Sequence, residues 1–284
     1  MNQNILVTGA TGFVGRQVTK ALAGHNVFLH LVARKAKEKQ VNSLPQLSRV
    51  ISTEDLFSES TEWWTEQCQG IDTVIHLAWY AEAGQYLEAP ENLDCLMGSL
   101  SLVKGAAQAG VKRFVGIGTC FEYDLTPGVL SVDTPLKPLT PYADAKAALF
   151  HAASHWLPLQ SVEFAWCRLF YLYGEGEDHR RLVPYLRSRL EKGEPAELTS
   201  GKQIRDYSNV ADAGQKIADV ALGHQQGPIN ICSGVPTTVR QLAEHIADEY
   251  GHRDLLKFGV RPENLVDPPC VLGVPNINPM GAKV

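Results

Sequence analysis

The chain has 284 residues, of which 26 are basic, 31 are acidic and 44% are hydrophobic. That length suits one large domain or two modest ones with a buried core. A net charge of −5 leaves no basic footprint for nucleic acid or for an anionic membrane, and no apolar run reaches the ~18 residues of a membrane span. We therefore expect a protein of enzyme size whose partners are neither nucleic acids nor membranes.

The N-terminus and the cysteines indicate the compartment. Residues 1–4 carry no basic segment and no cleavage site, so they are unlike a secretory signal. The six cysteines, at positions 68, 95, 120, 167, 232 and 270, form neither a C-x-x-C pair nor a Cys/His cluster. Free thiols in a reducing cytoplasm are therefore expected, and no metal site is predicted.

Short apolar strands alternate with longer helical segments through the first part of the chain. The predicted strands are residues 5–7, 26–32, 73–77, 114–117 and 162–166, and the predicted helices are 13–23, 93–109 and 143–156. Alternating strands and helices indicate βαβ units, and uninterrupted apolar strands indicate a sheet that is covered on both faces. The expected fold class is α/β, a doubly wound parallel sheet with its ligand crevice at the carboxyl ends of the strands.

Beyond Gly174 the periodicity loosens and glycine and proline become frequent. A basic helix at 180–192, a short strand near 229–231 and a helix at 238–250 are predicted there, and the chain shows no internal repeat. We expect a first domain at 1–173 and a smaller, loop-rich lobe at 174–284 that binds the substrate. Segments around 203–232 are expected to return to the first domain.

A glycine-rich turn directly follows the first predicted strand. It contains Gly9, Gly12 and Gly15 at G-x-x-G-x-x-G spacing, with Thr11, Phe13 and Val14 between them. Glycine lets the backbone approach a pyrophosphate closely, and the helix that follows offers unpaired N–H groups at its N-terminus. Its place between a strand and a helix favours a dinucleotide site over an ordinary tight turn.

The end of the second strand bears on which dinucleotide binds. NAD sites usually carry Asp or Glu about 20 residues beyond the glycines, but residues 31–35 contain no carboxylate. Arg34 and Lys35 can instead hold a 2′-phosphate, although a solvated basic loop is the alternative interpretation. NADP(H) is therefore the preferred cofactor, with NAD(H) possible.

Tyr142 and Lys146 are four residues apart in a predicted helix, and hence lie on one face of it. A phenol has a pKa near ~10, and a neighbouring ammonium favours its phenolate. The pair can therefore exchange a proton during hydride transfer at a carbonyl. Thr119 follows another strand, at the sheet edge where a third polar group can bind the substrate oxygen.

Further motifs accompany these residues in order along the chain. They are His76-Leu77-Ala78, Arg168-Leu169-Phe170 with Tyr173-Gly174, Arg205-Asp206-Tyr207 with Val210-Ala211-Asp212, the segment 230–234, and Arg261-Pro262. With them, residues 5 to about 267 resemble the extended short-chain dehydrogenases/reductases, in the branch that acts on nucleotide sugars. The resemblance implies a Rossmann-like fold, a bound NAD(P), a nucleotide-diphosphate sugar as partner, and a homodimer through the helices at 93–109 and 143–156.

The resemblance also assigns roles to matching positions. Thr119, Tyr142 and Lys146 would be catalytic, with Tyr142 delivering the proton. The cofactor would be bound by Gly9, Thr11, Gly12, Phe13, Val14, Gly15, Arg34, Asp55, Leu56, Leu77, Ala78, Tyr142 and Lys146. The substrate would be bound by Thr119, Cys120, Phe121, Arg205 and Arg261, with the two arginines on the diphosphate.

The chain departs from the family pattern at several places. The 4,6-dehydratases of the family carry Asp-Glu after the catalytic hydroxyl, where this chain has Cys120-Phe121, so dehydration is disfavoured. Epimerase-reductases carry a cysteine two residues after that hydroxyl; Cys120 lies one residue early, so a packed thiol is favoured over an acid. Cys95 replaces the usual asparagine of the long helix, and the chain stops near where a final helix is expected.

Reduction of a 4-ketone is the favoured activity. Residues 118–123 resemble reductases that act on nucleotide-diphosphate 4-keto-6-deoxy sugars in deoxysugar and surface-polysaccharide biosynthesis, and Arg34 favours the reductive cofactor NADPH. The alternative is an epimerase, either a 4-epimerase or an epimerase-reductase, that returns the hydride to the opposite face. A non-catalytic NADP-binding sensor is a further alternative, since a fold does not dictate an activity.

Overall fold

A computed structural model describes residues 2–41, 46–264 and 267–277 of the chain. Its strands are β1 (Gln3–Thr8), β2 (Val27–Arg34), β3 (Leu47–Thr53), β4 (Thr73–His76), β5 (Arg113–Thr119), β6 (Val129–Leu130), β7 (Glu163–Leu169), β8 (Tyr171–Tyr173), β9 (Ala196–Glu197), β10 (Ile204–Asn209), β11 (Gly227–Ile231), β12 (Pro236–Thr238), β13 (Leu256–Lys257) and β14 (Cys270–Gly273). Its helices are α1 (Phe13–Leu22), α2 (Thr61–Gln67), α3 (Glu91–Gln108), α4 (Pro141–Trp156), α5 (Leu182–Glu191), α6 (Val210–Leu222) and α7 (Val239–Tyr250).

The main sheet has the strand order β11-β7-β5-β4-β1-β2-β3. Every neighbouring pair in it is parallel. The strand order reverses between β1 and β4, and such a switch point opens a crevice at the carboxyl ends of the strands. The predicted doubly wound parallel fold is confirmed.

Helices cover both faces of this sheet because its central strands are apolar on both sides. Val18 of α1 and Ile217 of α6 pack with one face. Trp64 of α2, Leu102 of α3 and Leu149 of α4 pack with the other face. Every residue of β5 is buried, as expected for a strand between two helical layers.

A second, smaller sheet combines strands from the C-terminal part of the chain with β6 and β8 from earlier in the sequence. It has the order β12-β10-β14-β6, with β8 also paired to β10. Helices α5 and α7 form a separate core with β9 and β13, through residues such as Leu186 and Ile246. Helix α6 and strand β11 belong instead to the main sheet and its covering layer.

Two sequence expectations remain open at this level. The division into domains at residue 173 stays a prediction. The question of a final helix falls on residues 278–284, which lie outside the described residues. In the part of the chain that is described, no helix combines the length and the apolar character needed to cross a membrane.

Candidate active site

The turn between β1 and α1 has room for a pyrophosphate because glycines line it. Gly9 has φ +74°, and a Cβ on it would lie 2.7 Å from the backbone nitrogen of Ala78. A Cβ on Gly15 would lie 2.1 Å from the Gly9 carbonyl oxygen. Among the described residues no side chain caps α1, which begins at Phe13, so the N–H groups of its first turn lack helical partners. The turn therefore fits the pyrophosphate of a dinucleotide.

A cavity of about 990 Å³ extends from this turn to the small sheet. Its lining includes almost all of the site residues that the sequence predicts, namely Gly9, Thr11, Gly12, Phe13, Val14, Gly15, Arg34, Asp55, Leu56, Leu77, Ala78, Thr119, Cys120, Phe121, Tyr142 and Arg205. Lys146 and Arg261 are not part of this lining. The fold thus brings sixteen predicted residues to one cavity, while the role of each stays a prediction.

Basic side chains lie at the end of β2 and in the segment that follows it. Arg34 is exposed, and both Arg34 and Lys37 line the cavity. Lys35 lies between them in sequence, but its Nζ pairs with Glu54 at 2.7 Å. Asp55, after the neighbouring strand β3, lines the cavity as well. Two cations that line the cavity are thus available to a phosphate or a ribose.

Thr119 and Tyr142 meet at the cavity. Thr119 ends β5, and both Thr119 and Tyr142 line the cavity. Tyr142 lies in the first turn of α4, whose N-terminus is capped by Thr140 through the Ala143 N–H at 3.3 Å. Burial raises the pKa of Tyr142 above its ordinary value, and the Thr119 side chain offsets this only in part. The phenol is therefore protonated at neutral pH.

Lys146 lies one turn further along α4 and is 3% exposed. Its Nζ donates to the Ile117 carbonyl at 2.7 Å and lies 3.7 Å from the centre of the Trp79 ring. Burial lowers the pKa of Lys146 to about 7. The sequence predicts that Lys146 lowers the pKa of Tyr142; in the structure burial raises that pKa, and the Lys146 Nζ contacts the Ile117 carbonyl and the indole face.

A buried carboxylate behind Thr119 is missing from the sequence predictions. Glu122 accepts the Thr119 N–H at 2.7 Å, the Trp166 indole N–H at 3.0 Å and the Arg168 Nε–H at 2.7 Å. A Cβ on Gly118 would lie 2.2 Å from this carboxylate. In the sequence, the feature that could have indicated the Glu122–Arg168 ion pair is Arg168 itself, an arginine among the buried, largely apolar residues of β7. The pair fixes the backbone turn that presents the Thr119 hydroxyl.

Cys120 is a packed thiol rather than an acid. It is 2% exposed and contacts a cluster that contains Phe170 and Cys232. Burial raises its pKa to about 12, so it is protonated and a poor proton donor at neutral pH. Phe121 packs edge-on against Tyr171, with ring centroids 6.1 Å apart. Within the described ranges no group of three or more His, Cys, Asp or Glu residues is placed to hold a metal ion.

Arg205 lies at the other end of the cavity and is already paired. Its side chain is 3% exposed, and its Nη2 lies 2.6 Å from Asp267. Among the described residues no acceptor is aligned with this nitrogen for a hydrogen bond. Arg261, the other predicted diphosphate ligand, lies outside the cavity lining because its guanidinium stacks 4.8 Å from the Tyr185 ring.

A buried amide lies one turn before the position where the resemblance expects asparagine. That position is Cys95, whose Sγ accepts the Tyr80 N–H at 3.3 Å. Asn92, three residues earlier on α3, is 0% exposed. It accepts the Trp79 indole N–H at 2.8 Å and donates to the Tyr86 carbonyl at 2.7 Å. The amide thus holds two aromatic residues of the cavity wall.

The fold, the dinucleotide turn and the adjacent hydroxyl–phenol pair define a NAD(P)-dependent enzyme of the extended short-chain dehydrogenase/reductase class, in the branch that modifies nucleotide sugars. Residues 5–232 match the model of the NAD dependent epimerase/dehydratase family, which is most of the chain. The chain belongs to this family.

Individual relatives carry different activities. The chain is 27% identical over 274 residues to dTDP-6-deoxy-L-talose 4-dehydrogenase (NAD(+)) of Aggregatibacter actinomycetemcomitans, covering 95% of this chain and 99% of that protein. It is 25% identical to a putative UDP-glucose 4-epimerase of Methanocaldococcus jannaschii, covering 88% and 83%. The solved structure of MoeE5 in complex with UDP-glucose and NAD superposes with a TM-score of 0.79 at 26% identity, covering 95% and 89%.

Proposed function

We propose that the chain reduces the 4-ketone of a nucleotide-diphosphate 4-keto-6-deoxy sugar, with NAD(P)H as the donor, in deoxysugar and surface-polysaccharide biosynthesis. The observation that carries this proposal is the placement of Thr119 and the protonated Tyr142 phenol on the wall of one cavity, together with the glycine turn and Arg205. A hydroxyl and a protonated phenol suit a carbonyl oxygen that gains a proton during reduction.

The residues after Thr119 argue against water elimination. Cys120 and Phe121 stand where the dehydratases of the resemblance carry an acid and a base. Phe121 has no titratable group, and burial raises the pKa of Cys120 to about 12. Positions 120 and 121 therefore provide no carboxyl pair for removing water, whereas Tyr142 can deliver a proton to a ketone.

Thr119, Tyr142 and Lys146 each have a distinct role in the proposed reaction. A reduced nicotinamide, held by the glycine turn, would supply the hydride for the sugar C4. Thr119 orients the C4 oxygen by hydrogen bonding, and Tyr142 donates its phenolic proton to that oxygen. Burial, which raises the pKa of Tyr142, keeps the proton on the phenol until the oxygen becomes basic enough to take it. The Lys146 ammonium favours the phenolate that is left behind.

The first relative reported above supports the proposed reaction. It is named a 4-dehydrogenase of a dTDP-linked 6-deoxy sugar. Oxidation of a C4 hydroxyl and reduction of a C4 ketone are opposite directions of one hydride transfer. Since this similarity covers nearly all of both chains, it extends over the sugar end of the cavity as well as the dinucleotide end.

Turnover of 4-keto-6-deoxy sugars linked to dTDP, CDP, GDP and UDP tests the proposal directly, by the loss of reduced-nicotinamide absorbance. We expect net oxidation of NADPH or NADH with at least one of them. Tyr142→Phe should lower kcat by about 10²- to 10⁴-fold. Tyr250→Phe, the same change at the end of α7, should leave kcat unchanged. Unaltered turnover in Tyr142→Phe would contradict the assigned proton donor.

A 4-epimerase is the second candidate, because one relative is a putative UDP-glucose 4-epimerase. An epimerase would interconvert two nucleotide sugars without net consumption of the dinucleotide. Product analysis by NMR alongside the absorbance assay separates the two reactions. Binding of both ligands with neither reaction would instead indicate a sensor.

We propose that NADP(H) is preferred and NAD(H) is also used. Arg34 and Lys37 line the cavity beyond β2, where they can contact a 2′-phosphate. Arg34→Ala should lower the ratio of kcat/KM for NADPH over NADH by about tenfold, the value of one charge-assisted bond. Lys35→Ala, which removes the neighbouring lysine paired with Glu54, should leave the ratio unchanged.

A homodimer through α3 and α4 and a cytoplasmic location complete the proposal. On α3, Leu93 is 63% exposed and Met97 is 60% exposed, four residues apart on one face. We expect light scattering to give twice the mass of the chain, and Met97→Glu to give a monomer. The buried free thiols, such as Cys68 and Cys167, suit a reducing compartment.

A further inference from the structure

Trp79 contacts both titratable members of the proposed catalytic group. It follows β4 by three residues and lines the cavity. The centre of its ring lies 3.7 Å from the Nζ of Lys146. Its edge faces Tyr142, with ring centroids 6.5 Å apart. Since Lys146 itself is not part of the lining, Trp79 is a wall of the cavity whose ring is in direct contact with the ammonium.

The indole is held in this position by a buried amide. Asn92 is 0% exposed and accepts the indole N–H at 2.8 Å. Its amide nitrogen donates to the carbonyls of Tyr86 and Ala89 at 2.7 and 2.9 Å. The Tyr86 ring in turn packs edge-on against Tyr142, with centroids 4.9 Å apart. One asparagine therefore anchors the indole of Trp79 and the backbone of Tyr86, and the rings of both residues pack against the proposed proton donor.

We propose that Trp79, anchored by Asn92, is a positioning residue for the reaction, which holds the Lys146 ammonium and limits the movement of the Tyr142 phenol. The proposal rests on the proposed function, because it takes Tyr142 and Lys146 as the reacting pair. A cation over the face of an indole is stabilised by the ring quadrupole. The contact thus favours the charged form of Lys146 in a place where burial disfavours it.

Other groups around Lys146 act on the same charge. Burial lowers the pKa of Lys146, whereas the negative charge of Glu122 and the Cys95 thiol raise it. His76 on β4 is close by, but burial lowers its pKa to about 3, so it is neutral at the pH of the assay. Tyr142, on the same helix, is protonated and neutral as well. These groups are unchanged in a Trp79 variant, so a shift in Lys146 titration would report the indole.

The sign of the expected shift follows from the contact. The indole favours the ammonium and so raises the pKa of Lys146. Without the indole, the pKa of Lys146 falls. Because the reaction requires the ammonium, activity then declines at a lower pH on the basic limb of the pH–activity profile. A cation–π contact changes a pKa by roughly half a unit to one unit.

Two variants of Trp79 in the full chain separate the ring from its hydrogen bond. Trp79→Leu removes both; we expect kcat to fall about tenfold, KM for the nucleotide sugar to change less than about twofold, and the basic limb of kcat/KM to move down by roughly half a pH unit to one unit. Trp79→Phe keeps an aromatic face but loses the N–H; we expect a smaller loss of kcat and a basic limb close to that of the wild type.

Trp63→Leu is the matched control, because Trp63 lies on α2 and packs against Trp64. It should leave the pH profile unchanged, and thermal unfolding of all variants checks that they are folded. A wild-type pH profile in folded Trp79→Leu overturns the proposal, as does an equal shift in Trp79→Phe and Trp79→Leu. Failure of the proposed function would look different, since the wild-type protein itself would not oxidise NADPH or NADH with any 4-keto sugar.

Discussion

The two ends of the cavity are built differently. At the dinucleotide end, the binding surface is backbone: Gly9 and Gly15 bring the chain close to itself, and α1 begins without a side-chain cap among the described residues. At the far end the surface is a side chain, Arg205, which already pairs with Asp267 at 2.6 Å. The first end offers backbone N–H groups, which every residue type except proline supplies, whereas the second offers a charge that is already paired with a neighbouring carboxylate.

This difference determines how each end responds to mutation. Binding at a site made of backbone is lost when an added side chain crowds it. The loss of affinity is then large because the whole turn must move. A side-chain site can be weakened or strengthened in steps, because the charge and its competitor are separate residues. The effects of substitutions on ligand affinity should therefore differ in size between the two ends. At one position the effect should also have the opposite direction.

The largest effect is expected for Gly15→Ala. The added Cβ would lie 2.1 Å from the Gly9 carbonyl oxygen, so α1 or the turn has to shift. We expect dinucleotide binding to weaken by about 100-fold or more, and stability to fall by about 1–3 kcal/mol as for other overpacked positions. Calorimetric titration with NADPH and thermal unfolding measure the two effects.

Gly24→Ala is the control for that change. Gly24 follows α1, and its added Cβ would have its nearest neighbour at 3.6 Å, the Ala21 carbonyl oxygen. Binding of NADPH should be unchanged. Equal binding by Gly15→Ala and the wild-type protein would show that the turn does not contact the pyrophosphate.

The dinucleotide end could be predicted from the sequence because it depends on local signals. The residues that form the turn are consecutive, and the helix predicted at 13–23 is observed as Phe13–Leu22. Strand β3 and helix α2 escaped prediction, since β3 is an edge strand with exposed Ser48 and Arg49, and α2 spans only Thr61–Gln67. The pattern of β3 is too polar, and that of α2 too short, for a strand or helix periodicity to be recognised in the sequence.

The far end depends on contacts between distant parts of the chain. Asp267 meets Arg205 because β14 pairs with β10, with Arg205 opposite Val271. Nothing in the local sequence around Asp267 indicates that partner. The same holds for Asn92, whose hydrogen bond with Trp79 joins a helix to the end of a strand.

A smaller effect than at the glycine turn is expected for Arg205→Ala. Loss of the buried guanidinium that we propose as the diphosphate ligand should weaken UDP or dTDP binding by roughly 10- to 100-fold, with binding of NADPH unchanged. Arg261→Ala is the matched change outside the cavity lining. Because Arg261 stacks on Tyr185, we expect Arg261→Ala to change UDP or dTDP affinity by less than about twofold. A loss of affinity as large as that of Arg205→Ala would show that Arg261 also binds the diphosphate.

The smallest effect, and the one of opposite sign, is expected for Asp267→Asn. A diphosphate that binds Arg205, as we propose, has to compete in the wild-type protein with the Asp267 carboxylate, 2.6 Å from the Arg205 guanidinium. Asparagine keeps the size of the side chain but removes its charge, so UDP and dTDP should bind about two- to fivefold more tightly. The free protein should lose up to about 1 kcal/mol of stability, since Asp267 is one-third exposed and its ion pair is partly screened. Calorimetric titration with both nucleotides and thermal unfolding without them test this pair of opposite changes. Weaker binding by Asp267→Asn would mean that Asp267 supports nucleotide binding and does not compete with it. The Arg205–Asp267 pair would then be a site already arranged for its ligand, like the glycine turn.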